Sequence, residues 1–202
     1  MDHNNILPVV LAGGKSKRFG EDKSQVKLGG KILIDYILSE LIDEFNEILI
    51  VANDPIKHLQ SNKIEKIKDF KKDLGPLGGI FTAMKWAKDN NKSYKWIASF
   101  PVDTPLFKFE IFKKFLEKVN ENESQLFFMK TNEKRHNIFG LWSMDLMDQL
   151  ESDLLKGERK VELWANSVGV SIINIEYKKI DPFFNINTKE DLEKAIKIMN
   201  ND

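Results

Sequence analysis

Cysteine is absent from the 202 residues, which excludes disulfides, thiolate nucleophiles and cysteine metal sites together. Histidine is scarce at three residues. His136 has no second histidine or cysteine at a metal-ligand spacing, so zinc is not expected and the residue reads as structural. Net charge is lacking too, with 31 Lys plus Arg against 31 Asp plus Glu. That balance leaves no global field to hold the chain on nucleic acid or an anionic membrane, so any anion site must be local. No apolar run is long enough to span a bilayer and no N-terminal stretch resembles a signal peptide, so a soluble, cytoplasmic protein is expected. Repeats and low-complexity stretches are missing, and with 42% hydrophobic residues the chain is expected to fold as one domain over 1–202.

What is present is an alternation of short β-rich apolar runs with longer helical patterns. Strands are expected at 6–11, 47–52, 96–100, 125–129 and 170–175, with a further one at 136–141. Leu33, Ile37 and Leu41 recur as an amphipathic helix requires, and Leu77, Ile80, Met84 and Ala87 do so behind Gly75-Pro76. Further helices are expected over 109–119, 145–155 and 188–199, the last capped by Thr188. Phe112, Phe115, Leu116 and Val119 read as core. The pattern predicts an α/β fold with a mostly parallel sheet and helices on both faces. The stretch 125–180 breaks the alternation and is expected to insert an antiparallel piece covering a second substrate.

Directly behind the first run comes Leu11-Ala12-Gly13-Gly14-Lys15-Ser16-Lys17-Arg18-Phe19-Gly20-Glu21-Asp22-Lys23. A P-loop would need glycine where Val9 stands, and the dinucleotide fingerprint needs glycines spaced differently. There remains a loop whose paired glycines let the backbone approach an anion while Arg18 and Lys23 supply fixed positive charge, a cradle for a triphosphate. A second constellation, Trp96 to Pro105, is an apolar strand ending in Asp103 between two prolines. That position suits a Mg²⁺ ligand beyond the carboxyl end of a strand, although an Asp before Pro105 also suits an Asx-turn. A third is Asp69 ahead of Gly75-Pro76-Leu77-Gly78-Gly79, where a carboxylate could accept from a donor face such as guanine, or where Gly-Pro is ordinary helix punctuation. Gly157-Glu158-Arg159-Lys160 is a short basic turn suited to a solvated surface or to a phosphorylated acceptor. Asn185 and Asn187 alternate along an extended piece that would point both side chains the same way.

Taken in order, these motifs resemble the molybdenum cofactor guanylyltransferase family, the enzymes that attach GMP to molybdopterin. The matching positions are the loop at 11–23, Asn53, Asp69 with Gly-Pro-Leu-Gly-Gly, Asp-Thr-Pro at 103–105, Gly-Glu-Arg at 157–159 and Asn-Ile-Asn-Thr-x-Glu-Asp-Leu at 185–192. The first loop is shared with many nucleotidyltransferases; the later motifs narrow the resemblance. It implies a three-layer Rossmann-like fold and GTP bound through Leu11, Ala12, Gly13, Lys23, Asp69 and Asp103, with Mg²⁺ on Asp103. Gly14, Asn53, Gly78, Asn185 and Asn187 join that candidate set from the matching motifs, and Arg18, Lys23 and Asp103 are the candidate catalytic residues. The expected partners are GTP and molybdopterin, with transient contacts to proteins that donate molybdopterin and to molybdoenzymes. Cytidylyltransferase relatives carry a similar loop, so CTP is the competing nucleotide. An enzyme that uses a sugar phosphate or methylerythritol phosphate would carry the same cradle, and so would a nucleotide-binding module without turnover.

Overall fold

The computed structural model describes residues 2–13, 26–71, 73–120, 123–132 and 134–200. In chain order these form β1 (Ile6–Leu11), β2 (Lys27–Leu28), β3 (Lys31–Ile32), α1 (Leu33–Leu41), β4 (Ile48–Val51), β5 (Ile64–Ile67), α2 (Gly75–Asp89), β6 (Trp96–Pro101) and α3 (Phe109–Val119). They continue with β7 (Leu126–Thr131), β8 (Lys134–Ser143), α4 (Met147–Leu155), α5 (Val161–Val168), β9 (Ser171–Asn174) and α6 (Lys189–Asn200).

In β1, Ile6 and Val10 face one apolar cluster while Leu7 and Val9 face another; β4 divides the same way, Ile48 and Ile50 against Leu49 and Val51. Alternation in which both sets are apolar is the mark of a strand covered on two sides. The coverings are helical. α1 and α3 close the first cluster and α2, α4 and α5 the second, so helix, sheet and helix form three layers as the sequence predicts. The seven main strands lie in the order β5-β4-β1-β6-β8-β7-β9. β8 alone runs against the rest, paired antiparallel with β6 and β7.

Besides the short β2–β3 hairpin, three features depart from the sequence expectation. β5 reads Ile-Glu-Lys-Ile and sits at the sheet edge, where half its side chains meet water, so it lacks an apolar run. α5 is short and no side chain caps its N-terminus; the Glu158 carboxylate accepts from the Arg159 and Lys160 backbone N–H groups just ahead of the helix, at 2.8 Å each. The antiparallel piece expected within 125–180 is no separate cover: β8 inserts into the main sheet between β6 and β7. Its register jumps, since Phe128 pairs with Gly140 but Met129 with His136, so 137–139 bulge away from β7.

A smaller cluster joins the β2–β3 hairpin to α6 through Val26, Leu28, Leu33, Ile186 and Ala195. The α6 start follows its expected chemistry: the Asp191 N–H donates to Thr188 Oγ1 at 3.1 Å, and Asp191 Oδ2 accepts from the Asn187 and Thr188 N–H groups at 3.0 Å each. Those bonds hold the Asp191 carboxyl below its ordinary range.

Candidate active site

Four neighbouring parallel strands, β5, β4, β1 and β6, end on the same edge of the sheet. Two residues past the end of each stands a residue singled out from the sequence: Asp69 after β5, Asn53 after β4, Gly13 after β1 and Asp103 after β6. The carboxyl edge of an open α/β sheet is where ligands bind, because the chain there leaves the sheet and exposes backbone and side chains together. Leu11 pairs with Val51 and Pro101 across the three central strands, and the Ala12 N–H donates to the Val51 carbonyl at 3.0 Å. The first loop therefore leaves the sheet from a fixed starting point.

Asn53 and Asp69 meet directly. Asn53 Nδ2 donates to Asp69 Oδ2 at 2.7 Å, and Asp69 Oδ1 is buried with no hydrogen-bond partner among the described residues. Burial pushes the Asp69 carboxyl above its ordinary range, and the Asn53 bond opposes that rise. Gly13 is exposed beside this pair: a Cβ there would stand 3.6 Å from Asp69 Oδ2. On α2, a Cβ on Gly79 would come within 2.8 Å of Leu11 Cδ2 and 3.8 Å of Asp69 Oδ1. Gly79, which was not among the expected site residues, thus borders Asp69 and lets α2 pack closely against Leu11. Gly78 is buried against Leu74, where a Cβ would collide with Leu74 Cβ, and its carbonyl accepts from Thr82 Oγ1 at 2.8 Å.

Asp103 has one carboxylate oxygen buried, and its backbone carbonyl accepts from the Ile186 N–H at 2.8 Å. This bond brings 185–187 to the Asp103 turn. Asn185 Oδ1 is buried without a hydrogen-bond partner among the described residues, whereas Asn187 is exposed. The segment is irregular rather than extended, and the two amides occupy different environments, unlike the shared direction that the alternation suggests. Gly14, Arg18 and Lys23 lie outside the described residues.

Among the described residues no cluster of three or more His, Asp or Glu side chains could hold a metal by itself. A single carboxylate with a buried oxygen fits a hard cation that draws the rest of its shell from phosphate oxygens and water, as Mg²⁺ does.

His136 is buried: its Nε2 lies 2.6 Å from Thr131 Oγ1 and its ring stacks on Phe183 with centroids 4.0 Å apart. Burial, with Lys134 adding, brings its pKa down to about 4 against the opposing charge of Asp181. It is a core histidine. Arg159 is likewise occupied, with Nη1 donating to the Leu154 carbonyl at 2.8 Å at the end of α4.

The model of the MobA-like NTP transferase domain matches residues 8–168, which include Gly13, Asn53, Asp69 and Asp103. The chain belongs to the MobA-like NTP transferase family. Among its relatives, the probable molybdenum cofactor guanylyltransferase of Aquifex aeolicus is 33% identical over 191 residues, covering 95% of this chain and 90% of that one. The molybdenum cofactor guanylyltransferase of Nitrobacter hamburgensis is 28% identical over 93% of this chain and 91% of that one. The structure of the molybdopterin-guanine dinucleotide biosynthesis protein A from Archaeoglobus fulgidus superposes with a TM-score of 0.79 at 24% identity, covering 97% of this chain and all of that one. CMP:2-keto-3-deoxy-manno-octonic acid synthetase shares the fold at 10% identity, with a TM-score of 0.73 and coverage of 98% and 99%. No helix in the described residues of this family member is long and apolar enough to cross a membrane.

Proposed function

We propose that this chain transfers GMP from GTP to molybdopterin, releasing pyrophosphate. The observation that carries the reading is the convergence of Gly13, Asn53, Asp69 and Asp103 at one edge of four parallel strands, with Asp69 keeping a buried acceptor oxygen that has no partner among the described residues. That oxygen suits the N–H donors of a guanine edge, and the exposed Gly13 lets a flat base approach the Asn53–Asp69 pair without a side chain in the way. Cytosine presents fewer donors, so the arrangement favours GTP over CTP. A single domain over 1–202 and a cytoplasmic location belong to the same reading.

A terminal phosphate oxygen of molybdopterin would attack the α-phosphate of GTP in line. A phosphate monoester is largely ionised near neutral pH, so the nucleophile arrives activated and the protein's work is alignment and charge stabilisation. Asp103 would hold Mg²⁺, with Asn185 Oδ1 as a further oxygen near the same turn; the ion would supply charge to the phosphate oxygens when bound. Arg18 and Lys23 would face the pyrophosphate leaving group. Molybdopterin would come from a donor protein and the product pass to molybdoenzymes through transient contacts.

The test is pyrophosphate release from GTP and from CTP with Mg²⁺, with and without molybdopterin. Release that requires GTP and molybdopterin together is the expected result. Release with CTP alone would move the reading to a cytidylyltransferase, and nucleotide binding without release under any of these conditions would remove it.

A further inference from the structure

One strand beyond Asp103 on the same edge lies a groove of about 480 Å³ between the bulge of β8 and the first turn of α5, lined by Asn137, Ile138, Lys160, Val161, Glu162 and Leu163. Its volume falls within the roughly 300–1,000 Å³ of small-molecule sites. The Ile138 carbonyl accepts from Ser99 Oγ at 2.5 Å. Asp103 follows Ser99 by four residues, the last two in the turn that ends β6. The approach to α5 also abuts α2, since the Arg159 carbonyl lies 3.8 Å from where a Gly75 Cβ would stand.

Arg135 builds this groove. Its guanidinium donates through Nε to Asn137 Oδ1 at 2.5 Å and through Nη1 to Asn166 Oδ1 at 2.8 Å, and Nη2 stands 3.4 Å from Glu162 Oε1. It lies over the Phe128 ring with its side chain only 20% exposed. The Asn137 wall is thereby oriented by a hydrogen bond, and Glu162 on the opposite wall stands at ion-pair distance from the same guanidinium. With Asn137 Oδ1 engaged, the Nδ2 group remains to donate; with Glu162 Oε1 paired, the other carboxylate oxygen remains to accept. Ile138, Val161 and Leu163 add apolar flanks, Leu163 being 53% exposed. One donor and one acceptor between apolar walls suit a flat heterocycle that offers a carbonyl beside N–H groups.

We propose that this groove is the pterin subsite of the acceptor, with the second Glu162 carboxylate oxygen accepting from the N3–H, Asn137 donating to the adjacent 4-oxo group, and Arg135 as the positioning residue behind them. The proposal rests on the GMP-transfer reading: pterin bound here would leave the phosphate end of the acceptor free to reach towards Asp103. Guanine carries the same 2-amino-4-oxo edge, so the test must separate the two sources.

The experiment uses the full chain as Glu162→Gln and, at the solvent-facing wall, Leu163→Asp, with initial rates at varied molybdopterin and GTP, GTP affinity by titration, and quenching of free pterin fluorescence. The expected result is a KM for molybdopterin raised tenfold or more in both variants, with GTP affinity and kcat within a few-fold of the parent and pterin quenching lost. Weakened GTP binding with an unchanged molybdopterin KM would assign the groove to guanine and overturn the proposal. Unchanged KM for both substrates, with pterin still quenched, would also overturn it while leaving the transfer reading intact. Failure of the unmodified chain to transfer GMP at all would instead sink the reading on which the proposal rests.

Discussion

Asn53 and Asp69 stand sixteen positions apart in the sequence, yet one amide N–H of Asn53 is spent on Asp69 Oδ2 at 2.7 Å. The bond fixes the carboxylate's rotation, so the buried oxygen that remains is Oδ1, the one beside Gly79. Two opposing influences meet on this group: burial favours the neutral acid and Asn53 favours the anion. If guanine donates to the anion, acidification protonates Asp69 and weakens binding, and because the folded pKa is raised this loss begins at a higher pH than for an ordinary aspartate. GTP titrations at stepped pH should show that acid limb. In Asn53→Ala it should move further up, while Asp69→Asn should abolish it and lower affinity by roughly ten- to a hundredfold, the scale of a lost charged hydrogen bond. An acid limb unmoved by Asn53→Ala would separate the pair functionally.

The charge-bearing residues of the reaction make a second test. Lys23→Ala should lose on the order of a hundredfold or more in turnover while retaining its circular dichroism spectrum and melting point. Asp103→Asn should raise the Mg²⁺ concentration needed for half-maximal rate. A metal titration identical to that of the unmodified chain would exclude Asp103 as the ligand.

His136 links stability to pH. Its folded pKa, about 4, lies below the ordinary 6.5, so between these values the unfolded chain binds the extra proton and the folded chain does not. The contribution is fully present above about pH 6.5 and is lost as pH falls towards 4. Urea denaturation at about pH 7.5 and about pH 5 should show lower stability at the acid point, and His136→Phe should flatten the difference. An equal slope in both proteins would place the acid sensitivity elsewhere.

Gly140 tests the sheet next to the β8 bulge. A Cβ at this position would meet Phe128 Cδ1 at 2.5 Å and the Phe127 carbonyl at 2.8 Å. One of those neighbours is backbone, so the strand pair must shift. Gly140→Ala should cost about 1–3 kcal/mol of unfolding free energy, measurable as a lower denaturant midpoint. A midpoint equal to that of the parent would show that the ring and strand move without strain.

Much of this arrangement is legible in the residues themselves. β1, β4 and β6 are apolar on both faces, and that pattern alone predicts buried parallel strands with ligand chemistry at their carboxyl ends. Asp69 and Asp103 stand out because each is joined to a turn rich in glycine or proline. β5 escapes notice because Glu65 and Lys66 face water at an edge, and α5 because it is short and no side chain caps its first turn. The Asn53–Asp69 bond and the Arg135 cluster are not legible at all, since each joins residues brought together only by strand order and a bulge. Gly78 and Gly79 are chemically identical in sequence. Only the helix phase determines that one meets Leu74 and the other faces Leu11 and Asp69.

The bond from the Ile186 N–H to the Asp103 carbonyl has a consequence for the order of events during synthesis. Gly13, Asn53, Asp69 and Asp103 all precede the segment 185–187 that bonds to the Asp103 turn, so translation delivers the four strand ends first. A partly made chain therefore has these four strand ends without Asn185 or the Ile186 tether, which arrive only after α3, β7, β8, α4, α5 and β9 have been made.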